Sequence, residues 1–479
     1  MKKTVIVGGG IAGLATAFYL HAGGLTDFTL IECSPRWGGK ISSAHKDGFL
    51  VEGGPDSFLT QKTVALDLCS ELGLESNLVG SNSGKSSTTY VWSGGRLHPM
   101  PEGMMLMAPT MVLPFLRSHL ISWPGKMRMG MEMFVPRQRG DQDETLAGFV
   151  RRRLGAEALN KIAGPLMGGI HAADPERLSL KSTFPMFLEM EKKHGSLLRG
   201  MMKRPKRSPA NGSKSTPMFM SLRGGLQQLA DAMIAALPAS TVRAGCCVLT
   251  VSPHDDQYRV ALSDGTSIVA DDVVFATPSY VTADLVQQVD PLLASRLREI
   301  RYVSTATVSL GFKRSDISHP MKGAGFIVPR SEGRRITACS WSSEKFKHRA
   351  PDDCVLLRVF IGGALAEDLA EQDEAALVEL AREELRAIMG ITATPVLANA
   401  YPWHKANPQY DLGHCKRVAE IERSITAFPG LRLAGAAYHG AGIPDCILSG
   451  MKAASSIIKD RNLASNTYRD DPIPASIGF

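Results

Sequence analysis

The fold is decided by the stretch Thr4-Val5-Ile6-Val7-Gly8-Gly9-Gly10-Ile11-Ala12-Gly13 near the start of the chain. Its four apolar residues predict a short buried strand, and the apolar run after the glycines predicts a helix. The glycines match GxGxxG, in which the first permits a tight turn, the second lets the backbone approach a pyrophosphate, and the third lets the helix pack on the strand. The N–H groups at the helix N-terminus favour an anion. The stretch therefore predicts a dinucleotide-binding unit.

A second predicted strand, 28–31, ends at Glu32, roughly 20 residues beyond the turn, where a carboxylate can accept a hydrogen bond from a ribose hydroxyl. The chain continues as Cys33-Ser34-Pro35-Arg36-Trp37-Gly38-Gly39-Lys40. An acidic strand end followed by an arginine and a glycine pair resembles the FAD-binding opening of the clan that contains amine oxidases, carotenoid desaturases and porphyrinogen oxidases. The alternative for Arg36 and Lys40 is a solvated basic loop. The resemblance favours a flavin over a nicotinamide.

Length and composition are those of a globular protein with room for two or three domains: 479 residues, 44% hydrophobic and 21% charged. The formal net charge of +7 suits acidic small molecules or an anionic membrane surface, and it is too diffuse to indicate nucleic acid. The eight cysteines include no CxxC pair, which predicts free thiols in a reducing cytosol and no metal site.

No segment of the sequence has the roughly 18 consecutive apolar residues that a membrane-spanning helix needs. The nearest is the uncharged run 103–116, which Pro109 and Pro114 interrupt, so we expect it to touch a membrane without crossing it. The first strand begins at about the fourth residue, which leaves no room for a signal peptide. These features predict a cytoplasmic protein that can associate with the cytoplasmic face of a membrane.

The order of the patterns predicts a mixed α/β (α+β) protein with discontinuous domains. A two-dinucleotide-binding-type FAD domain is interrupted by a Met-rich helical domain that faces substrate or membrane, and by an antiparallel-sheet substrate domain. The predicted boundaries are 1–89, 208–285 and 416–460 for the FAD domain, 90–207 for the helical domain, 286–415 for the sheet domain, and 461–479 for a loose tail.

A glycine-rich segment, Gly53-Gly54-Pro55-Asp56-Ser57-Phe58, follows a hairpin predicted around Asp47-Gly48. In the same clan such a segment passes under the flavin ring, where backbone without side chains can approach closely. The alternative for Asp56 and Ser57 is an ordinary turn in which their side chains bond to the local backbone.

Several segments together resemble the porphyrinogen oxidases of Gram-positive type. They are Gly54-Pro55-Asp56-Ser57-Phe58-Leu59, Leu97-His98-Pro99-Met100-Pro101, Gly169-Ile170-His171-Ala172-Ala173-Asp174-Pro175, Leu178-Ser179-Leu180, Ser182-Thr183-Phe184-Pro185, Pro408-Gln409-Tyr410 and Gly442-Ile443-Pro444-Asp445-Cys446. The resemblance implies oxidation of a porphyrinogen to a porphyrin, with six electrons removed by FAD and dioxygen and with release of hydrogen peroxide. Coproporphyrinogen III is the favoured substrate, and activity on protoporphyrinogen IX is also expected.

The resemblance also implies which residues contact FAD: Gly8, Gly9, Gly10, Ile11, Ala12, Gly13, Glu32, Cys33, Arg36, Lys40, Gly54, Pro55, Asp56, Ser57, Val248, Trp403, Gly442, Ile443 and Pro444. Because the flavin carries the chemistry, no residue is assigned as an obligatory acid or base. His171 is a catalytic candidate against a plain structural role, and the family usually has Tyr at its position. Arg96, Lys62 and Lys405 are candidate partners for substrate carboxylates against ordinary solvated charges.

Two other classes of function remain open at this point. The first is another enzyme of the clan, a carotenoid desaturase or an amine oxidase. The second is a non-catalytic binding protein, since this fold also occurs without flavin chemistry. The expected partners are the porphyrinogen substrate and dioxygen, with no nucleic acid, together with a peripheral membrane contact and a downstream enzyme of haem synthesis.

Overall fold

The computed structural model of the protein describes residues 2–82, 88–138, 140–203 and 217–461. The stretch around Lys206, whose Lys, Arg and Pro content predicts a basic surface loop, and the predicted tail beyond Arg461 lie outside these residues. The strands are β1 Thr4–Val7, β2 Phe28–Glu32, β3 Ser43–Lys46, β4 Phe49–Glu52, β5 Phe58–Leu59, β6 Leu78–Gly80, β7 Thr89–Ser93, β8 Arg96–Pro99, β9 Met104–Met105, β10 Ala108–Pro109, β11 Phe219–Leu222, β12 Val242–Ala244, β13 Val248–His254, β14 Gln257–Leu262, β15 Ser267–Ala270, β16 Asp272–Phe275, β17 Tyr302–Lys313, β18 Gly325–Ile327, β19 Ile336–Trp341, β20 Cys354–Gly362, β21 Leu397–Pro408 and β22 Leu431–Leu433.

The α-helices are α1 Ile11–Ala22, α2 Val64–Glu71, α3 Val112–Arg117, α4 Trp123–Gly130, α5 Leu146–Arg153, α6 Ala156–Ala158, α7 Gly169–His171, α8 Leu180–Thr183, α9 Pro185–His194, α10 Leu197–Lys203, α11 Gln227–Ala235, α12 Ser279–Leu285, α13 Pro291–Arg298, α14 Ser342–Lys345, α15 Glu367–Ala370, α16 Glu374–Met389, α17 His414–Ile425 and α18 Ile443–Asp460. A π-helix spans Leu159–Gly168, and a 3-10 turn spans Met131–Phe134. Among the residues that the structure describes, no helix has both the length and the apolar character needed to cross a membrane.

A five-stranded parallel sheet forms one end of the molecule, in the order β12-β2-β1-β16-β22. Its central strand β1 is fully buried, as its unbroken apolar sequence predicts for a parallel strand covered on both faces. Helices α1 and α18 pack backbone to backbone, since a Cβ on Gly450 would lie 2.2 Å from the carbonyl oxygen of Ala12. Both helices begin at the carboxyl edge of this sheet, so their N-termini face the same space. The predicted dinucleotide-binding fold is confirmed.

Helix α18 begins earlier than the sequence pattern predicted. The sequence after Gly442-Ile443-Pro444-Asp445 predicts a helix from about Cys446, but the helix starts at Ile443 with Gly442 as its N-cap. Pro444 does not prevent this, because proline is tolerated in the first helical turn, where its missing N–H has no partner to lose.

A seven-stranded, mostly antiparallel sheet forms the other end, in the order β21-β17-β20-β19-β18-β7-β8. The hairpin β7–β8 joins it through a parallel pairing of β7 with β18. Helix α16 covers one face of the sheet, with its buried Leu377 and Leu385 in the same apolar cluster as Trp341 and Val359 of the strands. The opposite face is open to a large cavity.

The segment between α3 and α10 is helical and has a core of its own, which includes Phe149, Ile162 and Phe187. Inside it, the fully buried Arg153 forms ion pairs with Glu132 and Glu191. Glu132 also accepts hydrogen bonds from the backbone of Leu197 at the start of α10. This network is needed because an unpaired buried charge would cost several kcal/mol.

Candidate functional site

A single cavity of about 3090 Å³ lies between the carboxyl edge of the parallel sheet, the helical segment and the open face of the antiparallel sheet. A pocket for one drug-sized ligand is typically about 300–1,000 Å³. The cavity therefore has room for an extended dinucleotide and a second large ligand beside it. Its lining is mainly apolar on the substrate side, including Leu166, Phe326 and Phe360.

The glycine turn after β1 forms part of the lining of this cavity. Gly8 has φ +106°, a conformation that favours glycine, and a Cβ on Gly13 would lie 1.9 Å from the carbonyl oxygen of Gly8. Gly10 differs, because the nearest atom to an added Cβ would be the Cα of Gly39 at 4.0 Å. The empty space beside Gly10 is a cradle in which a pyrophosphate can approach the backbone at the N-terminus of α1. The residues present here fit a dinucleotide.

Glu32 is fixed at the end of β2 by two backbone donors. The N–H of Gly9 donates to its Oε2 at 2.6 Å, and the N–H of Ser34 donates to its Oε1 at 2.8 Å. Each carboxylate oxygen keeps a second lone pair, and the residue lines the cavity. The side chain is therefore held ready to accept hydrogen bonds from a ribose.

The segment 53–57 lies on the lining of the cavity and is hydrogen-bonded to strands of the antiparallel sheet. The carbonyl oxygen of Gly53 accepts hydrogen bonds from Thr307 Oγ1 at 2.8 Å and Trp403 Nε1 at 2.9 Å. The guanidinium of Arg358 donates to the carbonyl oxygen of Gly54. These hydrogen bonds fix the two glycines of the segment, and only glycine fits at position 54, because a Cβ there would lie 1.7 Å from the carbonyl oxygen of Lys40.

The side chain of Asp56, within this segment, forms a charged cluster with Lys345 and Arg358. Lys345 Nζ donates to both carboxylate oxygens of Asp56 at 2.9 Å. Burial by itself would raise the pKa of Asp56, but Lys345 and Arg358 outweigh it and hold that pKa well below its ordinary value. Asp56 is therefore ionised at neutral pH, and its charge compensates that of the buried Arg358.

Most of the predicted FAD residues line the cavity, and four do not. Those on the lining are Gly8, Gly10, Ile11, Ala12, Glu32, Cys33, Lys40, Gly54, Pro55, Asp56, Ser57, Val248, Trp403, Gly442 and Ile443. Gly9 packs against the ring of Trp37, Gly13 packs against Gly8, and Pro444 is buried in the first turn of α18. Arg36 donates to the backbone oxygens of Gly39 and Ile41. These four residues shape the turns around the cavity, and their contact with a cofactor stays a prediction.

Two of the cysteines are not free, contrary to the expectation from their spacing. Cys33 and Cys247 are joined in a disulfide, with their Cα atoms 4.1 Å apart. The cause is the parallel pairing of β2 with β12, which places the ends of the two strands side by side although the cysteines are 214 residues apart in the chain. The cysteines that the structure leaves free are Cys69, Cys246, Cys339, Cys354, Cys415 and Cys446.

His171 lies on the cavity lining as the last residue of α7. Its ring contacts Phe184 edge-on at 5.7 Å and Tyr410 at 5.9 Å between ring centroids. Burial lowers the pKa of His171 to about 4, so the imidazole is neutral at physiological pH. It can donate or accept a hydrogen bond but cannot supply a stable positive charge. Its catalytic role stays a prediction.

Of the candidate carboxylate partners, Lys405 alone lies on the cavity lining with no side-chain partner among the described residues. Lys62 also lines the cavity but forms an ion pair with Asp445 at 2.7 Å. Arg96 donates to His98 at 3.2 Å on the exposed hairpin β7–β8, away from the cavity.

Two residues that support the site were missed by the sequence pattern. Arg358 lies in the apolar strand Val355-Leu356-Leu357-Arg358-Val359-Phe360, where a lone charge was a signal of a buried role. Lys345 follows β19 in the short helix α14 and gives no such signal. Both act on the segment Gly53–Ser57, about 300 residues earlier in the chain.

A glycine cradle at a helix N-terminus, a carboxylate placed to bind a ribose and a large adjoining apolar cavity are the features of a dinucleotide-binding protein with room for a second ligand. Residues 11–458 match the family of flavin containing amine oxidoreductases. The chain belongs to this family, and its cofactor is FAD.

Relatives of known name and solved structure cover almost all of the chain. The coproporphyrinogen III oxidase of Bacillus subtilis is 37% identical over 95% of this chain and 98% of its own length. The coproporphyrinogen III oxidase of Staphylococcus aureus is 34% identical over 96% of this chain and 99% of its own length. The crystal structure of a protein described as a putative protoporphyrinogen oxidase from Exiguobacterium is 32% identical, covers 96% of this chain and 99% of its own, and has a TM-score of 0.85.

Proposed function

We propose that this chain oxidises a porphyrinogen to the corresponding porphyrin in haem biosynthesis, with coproporphyrinogen III as the preferred substrate and protoporphyrinogen IX as a second one. The observation that carries the proposal is the single cavity, which runs from the glycine cradle to an apolar space wide enough for a macrocycle. The names of the relatives support the same reaction. Relatives named for coproporphyrinogen III are 34–37% identical to this chain, and those named for protoporphyrinogen, which include the Exiguobacterium protein, are 26–32% identical.

The chain's own residues bind and orient the reactants. The cradle at Gly10 and the carboxylate of Glu32 would hold the diphosphate and ribose of FAD, and Gly53–Ser57 would lie against its ring. FAD bound there would supply a two-electron acceptor that dioxygen reoxidises, so the six electrons would leave in three rounds, each with hydrogen peroxide as the second product. The apolar lining positions the macrocycle and excludes water. We assign no obligatory acid or base, because the pyrrole nitrogens and solvent can exchange the protons between rounds.

The test is a paired comparison of turnover. The purified holoenzyme is expected to convert coproporphyrinogen III to coproporphyrin III under air, with formation of hydrogen peroxide and a Soret band, and to turn over protoporphyrinogen IX with a lower kcat/KM. Heated enzyme controls for spontaneous oxidation. If neither porphyrinogen is consumed faster than in that control while an amine or a polyene is, the chain is a different enzyme of the family.

We also propose that helices α3 and α4 rest on an anionic membrane surface at the cytoplasmic face. These helices and the 3-10 turn that follows α4 expose large apolar side chains, which include Val112 at 72%, Trp123 at 65% and Phe134 at 77% of their surface. Monomeric proteins rarely leave so many neighbouring apolar groups in water. Arg117 and Arg137 flank this surface, so a bilayer that contains anionic lipids complements it in both polarity and charge.

Flotation with vesicles tests the membrane proposal. We expect the protein to float with vesicles of phosphatidylcholine and phosphatidylglycerol, and the double variant Leu113→Glu/Phe134→Glu to remain at the bottom. The control variant, Leu292→Glu, changes an exposed leucine on α13 and should float like the unaltered protein. Equal flotation of both variants would contradict the membrane proposal and assign the surface to another role, such as binding a downstream enzyme. A dimer that the double variant disrupts would assign the surface to a second copy of the chain.

A further inference from the structure

Eight cationic side chains line the cavity, and six of them have partners. Lys40 donates to the carbonyl oxygen of Ala406, and Arg358 to that of Gly54. The others that are paired are Lys62 with Asp445, Arg334 with Glu384, Arg335 with Glu383, and Lys345 with Asp56. Among the described residues, the side chains of Arg330 and Lys405 have neither a hydrogen bond nor an ion pair.

Arg330 and Lys405 lie at opposite edges of the cavity floor. The floor consists of β21, β17, β20, β19 and β18, side by side in that order, and residues of all five strands line the cavity. Lys405 lies on β21, and Arg330 follows β18 in the loop that faces the π-helix. Four strand spacings of about 4.8 Å separate the two strands, which gives about 19 Å. Because both side chains are long, the distance between their charged groups can be shorter than this separation of the strands.

We infer that Arg330 and Lys405 each bind a carboxylate of the substrate, one at each side of the macrocycle. This inference rests on the proposed function and specifies its substrate class. Coproporphyrinogen III carries a propionate on each of its four rings, so it presents carboxylates to both edges of the floor at once. Protoporphyrinogen IX carries two propionates on neighbouring rings, so it can satisfy one edge only. Two cations at opposite edges of the floor, both without partners in the part of the chain that the structure describes, therefore select the tetracarboxylate.

The test uses the holoenzyme and the variants Arg330→Met and Lys405→Met. Because a hydrogen bond to a charged group contributes about 1.5–3 kcal/mol, each variant should lower kcat/KM for coproporphyrinogen III about 10- to 100-fold through KM, with kcat nearly unchanged. The affinity for coproporphyrin III, followed by its fluorescence, should fall by the same factor. With protoporphyrinogen IX, only one of the two variants should lose activity.

Charge-conserving variants, and a variant outside the cavity lining, test whether the loss depends on the positive charges of Arg330 and Lys405. Arg330→Lys and Lys405→Arg should recover most of the loss, and Lys416→Met, which removes an exposed charge on α17, should change nothing. Equal losses on both substrates in both variants, or no loss on coproporphyrinogen III, would overturn the inference. If coproporphyrin III binds with the expected dependence on both cations but neither porphyrinogen is oxidised, the proposed function fails while the carboxylate sites stand.

Discussion

Gly10→Val is expected to give a folded protein that binds FAD at least about 100-fold more weakly, which is about 2.8 kcal/mol. The protein itself has room for the new Cβ, since the nearest atom to it would be 4.0 Å away. The branched side chain would instead fill the cradle that a pyrophosphate needs. Gly10 is the N-cap of α1 and has φ −71°, so the backbone tolerates valine there at a cost of about 1 kcal/mol in capping.

The measurement is the dissociation constant of FAD for the apoprotein, together with the far-ultraviolet circular dichroism of each variant. Gly130→Ala is the matched control, because it also adds a side chain into open space at a helical glycine, but outside the cavity. It should bind FAD like the unaltered protein. Retention of FAD by Gly10→Val with unchanged affinity would show that the diphosphate does not lie in this cradle.

Arg358→Met is expected to lower the free energy of unfolding by about 3–5 kcal/mol, because it removes one partner of a buried charged cluster. The variant leaves the carbonyl oxygen of Gly54 without its donor and leaves Asp56 with Lys345 alone. Since Gly53–Ser57 would lie against the flavin ring, FAD should also dissociate faster. Thermal unfolding followed by flavin fluorescence measures both effects.

The pH dependence identifies the cause of this loss. The depressed pKa of Asp56 stabilises the fold above the carboxyl's ordinary value of 3.8, and this stabilisation is lost as the pH falls through the depressed pKa. The difference between Arg358→Met and the unaltered protein should therefore be largest at neutral pH and shrink in acid. Arg382→Met, which removes a partly exposed arginine of α16 paired with Glu379 near the surface, should cost less than about 1 kcal/mol at any pH. If the difference in the free energy of unfolding did not change with pH, the loss would come from altered side-chain packing rather than from the charge of Asp56.

The part of the fold that local patterns control was predictable. The first βαβ unit and the hairpin at Asp47-Gly48 follow from periodicity and turn residues within short windows. The resemblance of ordered motifs supplied the family and the cofactor. The domain boundaries stay predictions, and the hairpin β7–β8 shows the difficulty, because it joins the antiparallel sheet through a pairing with β18, more than 200 residues later.

What the sequence could not predict depends on pairings between distant segments. The Cys33–Cys247 disulfide requires the register of β2 on β12, and the support of Gly54 by Arg358 requires the sheet that only the folded chain assembles. Arg330 lies in a polar loop that looks like any solvated turn. Its position at the edge of the cavity floor follows from the strand order, which no local pattern encodes.

The most direct test is reduction of the bound flavin without oxygen. When coproporphyrinogen III is added anaerobically to the purified protein, the visible absorbance of oxidised flavin should disappear, and it should return on admission of air as hydrogen peroxide and coproporphyrin III accumulate. A flavin that stays oxidised with either porphyrinogen, or a protein that binds no flavin, would contradict the assignment.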